Sequence, residues 1–235
     1  MREILRNGFE KLNIGFTEET LEKFEVYADL LRDWNEKINL TAITEPGEIA
    51  VKHFLDCSTL LLHCDLKGKV IDVGTGAGFP GLVLKILKPD IDLYLLDSLN
   101  KRLLFLDEVV KILKLDKVTL IHARAEDGGR DKKLREQFDF SVSRAVANLS
   151  TLAEYCLPFV KNGGKMVALK GPSLIEEAEN AKGALSKLGA EIESINKTNI
   201  PDTDMEHMLI TIKKLRQMPT QYPRKAGKPS KEPLK

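Results

Sequence analysis

The residues with the clearest chemical potential form a glycine-rich stretch, Asp72-Val-Gly-Thr-Gly-Ala-Gly78, which lies between a β-branched segment and a helix-like one. Its glycines, with Gly81, also match G-x-G-x-x-G, a spacing found in nucleotide-binding turns. Backbone N–H groups at such a strand-to-helix turn can face a ligand at the carboxyl edge of a sheet. The stretch therefore predicts a cofactor-binding loop, with a tight turn that binds nothing as the simpler alternative. The candidate residues here are Asp72, Gly74, Gly76 and Gly78.

Two acids follow neighbouring predicted strands and could hold the nucleoside part of a cofactor. Asp97 ends the second predicted strand, where both nicotinamide and S-adenosylmethionine (AdoMet) enzymes place an acid against ribose hydroxyls. Glu126 follows the third predicted strand, where AdoMet enzymes hold the adenine or its ribose. The alternating glycines resemble D/E-x-G-x-G-x-G, and the chain closes on two strands without a helix between them. These features favour AdoMet, and a nicotinamide cofactor stays the alternative.

The end of the fourth predicted strand indicates which acceptor could be methylated. It reads Ser141-Val-Ser143-Arg144-Ala145, without a carboxylate, a cysteine or the Pro-Pro turn of many exocyclic-amine methyltransferases. Such an edge suits an acceptor that already presents a lone pair, such as a purine N7. Catalysis would then rest on alignment and on management of charge, without a general base.

The elements that must position these residues alternate along the chain. Strands are predicted at 69–73, 91–97, 118–122, 138–145 and 165–170, with helices between them, and two strands close the sequence at about 190–200 and 207–214. Alternation implies right-handed crossovers and a mostly parallel sheet. We therefore predict an α/β fold: a Rossmann-like, doubly wound class I methyltransferase sheet with an antiparallel last strand.

A helical N-terminal lobe precedes this sheet. Thr17 can cap a helix whose apolar stripe includes Leu21, Phe24 and Leu31, and a second helix is predicted over 48–62. We divide the chain into the lobe (1–65), the AdoMet-binding domain (66–213) and a basic, flexible C-terminal tail (214–235).

Seven blocks in order make the chain specifically similar to one family. They resemble the bacterial small-subunit ribosomal RNA guanine-N7 methyltransferases, also called glucose-inhibited division protein B: WNEKINLTAI (34–43), HFLDCSTLL (53–61), VIDVGTGAGFPGLVLKI (70–86), LLDSLNKRLLFL (95–106), ARAED (123–127), SVSRA (141–145) and ALKG (168–171). The resemblance implies methylation of guanosine 527, in the 530 loop of 16S rRNA, with AdoMet as methyl donor and with the 30S subunit or its precursor as partner.

The resemblance also implies roles for individual residues. It places AdoMet contacts on Gly74, Phe79, Asp97, Ser98, Leu99, Ala125, Glu126 and Arg144, of which Arg144 is the candidate catalytic residue, touching either the methionine carboxylate or the RNA. It places RNA contacts on Lys101, Arg124, Lys170 and His207. For any one of these alone a solvated surface charge is the commoner explanation, and their shared placement near strand ends is what favours RNA. His53 and Asp56 lie three residues apart in the lobe, and we interpret them as structural.

The charge distribution and the cysteine content limit which other classes of protein the chain could belong to. The 36 Lys and Arg balance 35 Asp and Glu, yet residues 213–235 alone carry eight basic residues and one acid. This tail could add nonspecific phosphate contacts or serve only solubility. Three cysteines without metal-ligand spacing, and no apolar run long enough to span a membrane, predict a reduced, cytoplasmic protein without a metal. We also expect a monomer, an expectation that no residue pattern carries. The competing hypotheses are a nicotinamide-dependent oxidoreductase and a non-catalytic RNA-binding assembly factor.

Overall fold

The computed structural model describes residues 1–144 and 147–235. Its seven strands form one sheet in the order β3-β2-β1-β4-β5-β7-β6. Their bounds are β1 Lys69–Val73, β2 Asp92–Asp97, β3 Val118–His122, β4 Phe138–Arg144, β5 Val160–Lys170, β6 Ala190–Asn199 and β7 Glu206–Lys214. Ala145, the last residue of the predicted fourth strand, lies outside the described residues.

The sheet confirms the predicted fold class. β1 pairs in parallel with β2 and β4, and the parallel pairing continues to β3 on one side and β5 on the other. The last strand, β7, runs antiparallel to both β5 and β6. It therefore lies inside the sheet, between β5 and the edge strand β6.

Helices cover both faces of the sheet, because successive residues of each strand point to opposite faces. Val70 belongs to one buried apolar cluster and Ile71 to the other. The crossover helices are α5 Gly81–Leu87, α6 Asn100–Ile112, α7 Ala125–Gly128, α8 Leu149–Cys156 and α9 Leu174–Leu188. Pro80 is the N-cap residue of α5.

The N-terminal lobe begins with α1 (Arg2–Lys11) and α2 (Glu18–Asn35). Thr17 caps α2 as predicted: its side chain accepts the Thr20 N–H, and the Thr20 side chain accepts the Thr17 N–H. The second helix predicted for the lobe is helical but irregular. It runs through α3 (Pro46–Ile49), a π-helical turn (Ala50–Leu55), α4 (Asp56–Ser58) and a 3-10 turn (Thr59–Leu62).

The lobe and the sheet share one apolar core. Phe9 and Phe24 of the lobe belong to the same buried cluster as Leu95 of β2 and Leu106 of α6. Because this cluster is continuous, the lobe is held rigidly against the face of the sheet that carries α5 and α6. Its polar side chains can therefore reach the ends of the strands.

The C-terminal segment differs from the flexible tail that its composition predicts. Lys214 is fully buried and donates to Glu136 and to the carbonyls of Leu157 and Val160. Met218 and Tyr222 are buried in the apolar cluster on the far face of the sheet, and a short helix, α10, spans Lys228–Lys231. The segment packs because its few apolar residues and its backbone carbonyls find partners on the domain, which net charge does not reveal.

Among the described residues, no helix is both long enough and apolar enough to cross a membrane. The three cysteines, Cys57, Cys64 and Cys156, are buried as free thiols.

Candidate functional site

A cavity of about 520 Å³, which we name the strand-end cavity, opens at the carboxyl ends of β1, β2 and β3. Parallel strands bring the residues that follow them to one edge of the sheet, where this fold class binds ligands. Six predicted cofactor residues line the cavity: Gly74, Asp97, Ser98, Ala125, Glu126 and Arg144. Its other lining residues are Val73, Leu96, Arg102, Ala123, Arg124, Tyr155, Gly227 and Ser230.

Asp97 ends β2 and is 3% exposed. One of its carboxylate oxygens accepts the Leu99 N–H (2.9 Å), and the other accepts the Gly76 N–H (2.9 Å). Arg102 adds a longer contact of 3.3 Å to the second oxygen. A carboxylate has about four lone-pair positions, so Asp97 can still accept hydrogen bonds from a ligand. It therefore links β2 to the glycine loop while remaining available to the cavity.

The glycines of the loop are needed for different structural reasons. Gly74, Gly76 and Gly78 all have positive φ angles, of 73°, 59° and 93°, which favour glycine. Gly74 lines the cavity, whereas a Cβ at Gly78 would lie 2.5 Å from the hydroxyl of Tyr27. That hydroxyl donates to the carbonyl of Ala77. Gly78 thus admits a side chain of the lobe and does not line the cavity.

Asp72 holds the glycine loop by hydrogen bonds from the interior of the domain. It is fully buried, and its Oδ2 accepts the Thr75 hydroxyl (2.7 Å) and the Gly81 N–H (2.8 Å). Its Oδ1 has no hydrogen-bond partner among residues 1–144 and 147–235. Burial raises the pKa of Asp72 to about 7, since the charged form is poorly solvated there. The structure places Asp72 beneath the loop and not on the cavity wall.

Glu126 lies in the first turn of α7, directly after β3, and is 6% exposed. Its Oε1 accepts the Gly227 N–H at 2.8 Å. Ala125 and Ser98 line the same cavity, while the side chain of Leu99 is 43% exposed and lies outside the lining. The three strand ends therefore converge as predicted, and a residue of the C-terminal segment joins them.

Three observations show that the strand-end cavity fits AdoMet, two from the cavity itself and one from the adjoining glycine loop. Its volume lies within the range of small-molecule sites. Asp97 and Glu126 offer carboxylate oxygens that can accept hydroxyl and amino donors. The space beside the Gly76 Cα is open, with no atom within 4 Å of a Cβ built there. A ligand can therefore approach the backbone of the loop.

A second cavity, of about 310 Å³, lies between the lobe and the strand ends, and we name it the interlobe cavity. Its lining comes from five separate parts of the chain: Ile43, Lys52, His53, Asp56, Arg144, Leu169, Lys170, Gly171, Met205 and His207. Arg144 lines both cavities. Arg144, at the end of β4, is therefore a residue that the two cavities share.

The Arg144 guanidinium is held by the lobe. Its Nη1 donates to Asp56 (3.0 Å) and to the carbonyl of Lys52 (3.0 Å). Its Nη2 contacts Nδ1 of His53 at 3.0 Å. Since a guanidinium only donates, Nδ1 accepts, and the Nε2–H of His53 donates to Thr41 (2.9 Å). These contacts orient Arg144 and satisfy the carboxylate of Asp56, which is 1% exposed.

The two histidines of the interlobe cavity respond to their surroundings in opposite ways. Burial, reinforced by Arg144, lowers the pKa of His53 to about 4, so this ring is neutral at physiological pH. His207 donates from Nδ1 to the second carboxylate oxygen of Asp56, and this hydrogen bond raises the pKa of His207. The structure thus connects His53 and Asp56 to the site, whereas their spacing alone predicted only a structural role within the lobe.

Phe79 lies among aromatic rings of the lobe. Its ring stacks on His53 with centroids 4.4 Å apart, and Arg144 lies over it with the guanidinium carbon 5.0 Å from the centroid. Tyr27 and Phe54 complete the cluster. Phe79 is therefore on the lobe side of the loop, away from the lining of the strand-end cavity, and supports Arg144 by a cation–π contact.

The four predicted RNA-binding residues separate into three positions. Lys170 and His207 line the interlobe cavity, and Arg124 lines the strand-end cavity. Lys101 is exposed on the first turn of α6 and lines neither cavity. Lys170 also pairs with Glu177 (2.6 Å), so part of its charge is already balanced. Among the residues that the structure describes, no group of His, Cys, Asp and Glu could hold a metal ion.

Sequence reasoning missed several residues that line these cavities or support the glycine loop beside them. Tyr27 and Arg102 lie within predicted helices, where a polar group on an apolar stripe and a second basic residue beside Lys101 were available as signals. Gly227 and Ser230 lie far beyond the last strand. Since no local pattern connects them to the strand ends, they could not be found from the sequence.

Comparison with known proteins gives a consistent match. The model of the family described as rRNA small subunit methyltransferase G matches residues 20–207. A protein of Alkaliphilus oremlandii named "Ribosomal RNA small subunit methyltransferase G" is 50% identical over 237 residues, which cover 100% of this chain and 99% of the relative. Proteins of the same name from Clostridium perfringens and Acetivibrio thermocellus are 48% and 50% identical, covering 99% and 100% of this chain and 98% and 97% of the relatives.

Solved structures resemble the chain in fold. TYW2 of M. jannaschii, crystallised with AdoMet, superimposes with a TM-score of 0.53 at 17% identity, covering 68% of this chain and 75% of its own. The antibiotic-resistance methyltransferase Kmr gives a TM-score of 0.52 at 15% identity, covering 63% and 87%. At these identities the likeness concerns the arrangement of strands and helices, which agrees with the observed sheet order.

Proposed function

Since the chain belongs to the rRNA small subunit methyltransferase G family, we propose that it methylates N7 of guanosine 527 in 16S rRNA, within the 30S subunit or its precursor. It is an AdoMet-dependent rRNA methyltransferase. Family membership disfavours both alternatives, the nicotinamide-dependent oxidoreductase and the non-catalytic assembly factor. We further propose that the enzyme acts as a cytoplasmic monomer without a metal.

The position of Arg144 is the observation that supports this proposal best. The single residue Arg144 lines both the strand-end cavity and the interlobe cavity. A methyl transfer requires donor and acceptor to meet at a single point, and two adjoining cavities with a shared wall provide such a point. We place AdoMet in the strand-end cavity and the acceptor guanine in the interlobe cavity.

The residues at this junction suit an acceptor that needs no deprotonation. AdoMet, when bound, supplies an electrophilic methyl group on a sulfonium centre. Guanine N7 carries a lone pair and no proton, so the chain's own groups need only to orient the ring and balance charge. The hydroxyl of Ser143 donates to the carbonyl of Val73 (3.1 Å), and the carboxylate of Asp56 is bound by Arg144 and His207. Neither group is therefore arranged as a general base.

Binding of the RNA around the cavities would use the predicted basic residues. Arg124 and Lys101 are exposed near the strand-end cavity, and no ion pair to either comes from the described residues. Such side chains can bind phosphates and make affinity depend on salt. Lys170 and His207, which are held by Glu177 and Asp56, are better placed to orient the acceptor than to attract the RNA from a distance.

The activity is tested by incubating the protein with AdoMet labelled in its methyl group and with either 30S subunits or naked 16S rRNA. Digestion to nucleosides should give label in N7-methylguanosine, and borohydride–aniline cleavage should map the site to nucleotide 527. A 16S rRNA carrying adenosine at that position is the matched control and should take up no label. Label in another nucleoside, or at another guanosine, would contradict the proposed acceptor.

A further inference from the structure

Residues 217–235, which we name the C-terminal strap, are held to the domain by contacts made along the backbone. Arg135 donates to the carbonyls of Tyr222 (2.8 Å) and Met218 (3.0 Å). Arg130 donates to the carbonyl of Pro223 (2.9 Å). These bonds, made by side chains of the domain to main-chain atoms, fix the path of the strap irrespective of its own side chains.

The strongest attachment is an ion pair. Arg224 donates to the fully buried carboxylate of Glu154 from its main-chain nitrogen (2.7 Å), from Nε (2.9 Å) and from Nη2 (2.6 Å). Such a bidentate pair with an added backbone bond is geometrically specific. Arg224, one of the basic residues for which the strap was expected to bind RNA, is thus paired with an acid inside the fold.

Beyond Arg224 the strap reaches the strand-end cavity. Gly227 donates its N–H to Oε1 of Glu126 (2.8 Å), and Gly227 and Ser230 both line the cavity. Thr151 of α8 donates to the carbonyl of Pro229 (3.0 Å), which fixes the chain between these two residues. Part of the cavity wall is therefore made by residues that follow the last strand.

We propose that the C-terminal strap is part of the AdoMet-binding site: Gly227 orients Glu126, and Gly227 and Ser230 form the wall on the adenosine side. With Oε1 bound to the strap, Glu126 keeps Oε2 for a hydroxyl or amino donor of the ligand, because no hydrogen bond to Oε2 comes from the described residues. The proposal rests on the proposed function, since it assigns the strand-end cavity to AdoMet.

This role differs from the RNA contact that charge alone predicts. A strap that binds phosphates would act through Lys225, Lys228 and Lys231 and would affect RNA affinity. A strap that builds the cofactor wall acts through Gly227 and Ser230 and affects AdoMet affinity first. The two roles can therefore be separated by changing the lysines and the wall independently.

The test compares four full-length or truncated proteins with the wild type. A chain ending at Ala226 lacks the wall, and a chain ending at Lys231 retains it. Lys225→Gln/Lys228→Gln/Lys231→Gln removes the charge but keeps the wall, and Ser230→Trp fills the cavity from an exposed position. Isothermal titration gives the AdoMet dissociation constant, and titration with a 16S rRNA fragment at several salt concentrations gives RNA affinity.

We expect the chain ending at Ala226 and Ser230→Trp to weaken AdoMet binding about tenfold or more, the scale of a lost hydrogen bond to a charged group. The chain ending at Lys231 and the triple Gln variant should bind AdoMet like the wild type. If the chain ending at Ala226 does not fold, the AdoMet affinity of Ser230→Trp tests the proposal by itself. Its control is Gln221→Trp, because Gln221 is an exposed strap residue outside the cavity lining.

Two further outcomes are informative. Unchanged AdoMet binding in both wall variants, with RNA affinity reduced in the triple Gln variant, would overturn the proposal and favour the phosphate role. If Gly227 acts through Glu126, then Glu126→Gln should weaken AdoMet binding less in the chain ending at Ala226 than in the full chain; additive effects would contradict that step. Failure of the wild type to bind AdoMet would instead refute the proposed function itself.

Discussion

The strand-end cavity and the interlobe cavity adjoin each other but are assembled at different distances along the chain. Most of the first is built from short segments that directly follow β1, β2 and β3, such as Gly74, Asp97 and Glu126. The second draws on the lobe and on residues as distant as Asp56 and His207, which are 151 positions apart. Strand ends can be read from local patterns, whereas the interlobe cavity exists only once the shared core holds the lobe in place.

The cavities also differ in how their carboxylates are satisfied. Glu126 accepts a hydrogen bond from a neutral backbone N–H, and Asp97 accepts two such bonds at 2.9 Å together with a longer contact of 3.3 Å from Arg102. Asp56 is bound by the guanidinium of Arg144 and by His207. Carboxylates bound mainly by neutral donors keep most of their charge for a ligand, while a carboxylate bound closely by a guanidinium and an imidazole has its charge balanced. The first arrangement is suited to binding a ligand and the second to positioning Arg144.

Replacing Arg144, which lines both cavities, should have the largest effect on activity and stability. We expect Arg144→Ala to lower methylation of 30S subunits at least about a hundredfold and to lower the free energy of unfolding by about 2–3 kcal/mol, because Asp56 loses a buried partner. Urea unfolding and single-turnover methylation measure the two effects. Arg144→Lys keeps the charge without the two-pronged geometry and should recover stability more than activity. Turnover at the wild-type rate in Arg144→Ala would refute its catalytic assignment.

Alanine substitutions of Asp97 and of Asp56 should show that the two cavities have different functions. Asp97→Ala should raise the AdoMet dissociation constant roughly ten- to a hundredfold through the loss of charged hydrogen-bond acceptors. Asp56→Ala should change AdoMet binding less than about threefold, but reduce methylation and stability by freeing Arg144. Calorimetric titration with AdoMet and urea unfolding compare the two variants. Equal losses of AdoMet affinity would mean that the cavities are not functionally distinct.

Two glycines of one loop test whether the lobe supports the strand-end cavity. A Cβ at Gly78 would meet Tyr27 at 2.5 Å and Leu82 at 2.8 Å, whereas one at Gly76 meets nothing within 4 Å. Both have positive φ, so Gly76→Ala is the matched control for backbone strain alone. We expect Gly78→Ala to cost about 2–3 kcal/mol and Gly76→Ala about 1 kcal/mol of unfolding free energy. Similar losses would show that the contact with Tyr27 is unimportant.

The smallest expected effect concerns the pH dependence of the interlobe cavity. The hydrogen bond to Asp56 raises the pKa of His207, so its contribution to stability is fully present below about 6.5 and is lost as pH rises through the folded-state pKa. His53, with a pKa of about 4, stays neutral throughout this range. The difference in unfolding free energy between wild type and His207→Gln should therefore be largest near pH 6, by less than about 1 kcal/mol, and shrink toward pH 9. A difference that grows with pH would contradict the assignment.

Much of the fold and of the strand-end cavity could be predicted from sequence. Alternating strand and helix patterns indicate crossovers, and a crossover fixes which strand ends meet, so Asp97, Glu126 and the glycine loop converge without further information. The apolar stripe and the N-cap of α2 could also be predicted, because the helical period relates residues that are only three or four positions apart. The family membership was likewise readable from blocks of consecutive residues.

Tertiary structure alone decided what each polar residue touches. Asp56, His53 and Arg144 meet because one apolar core joins the lobe to the sheet, and neither spacing nor charge encodes that contact. In the same way, Gly78 admits a side chain of the lobe, and the basic C-terminal segment becomes part of a cavity wall. Local patterns determine backbone elements, since their hydrogen bonds connect near neighbours. Contacts between distant side chains depend on how those elements pack, which only the folded chain specifies.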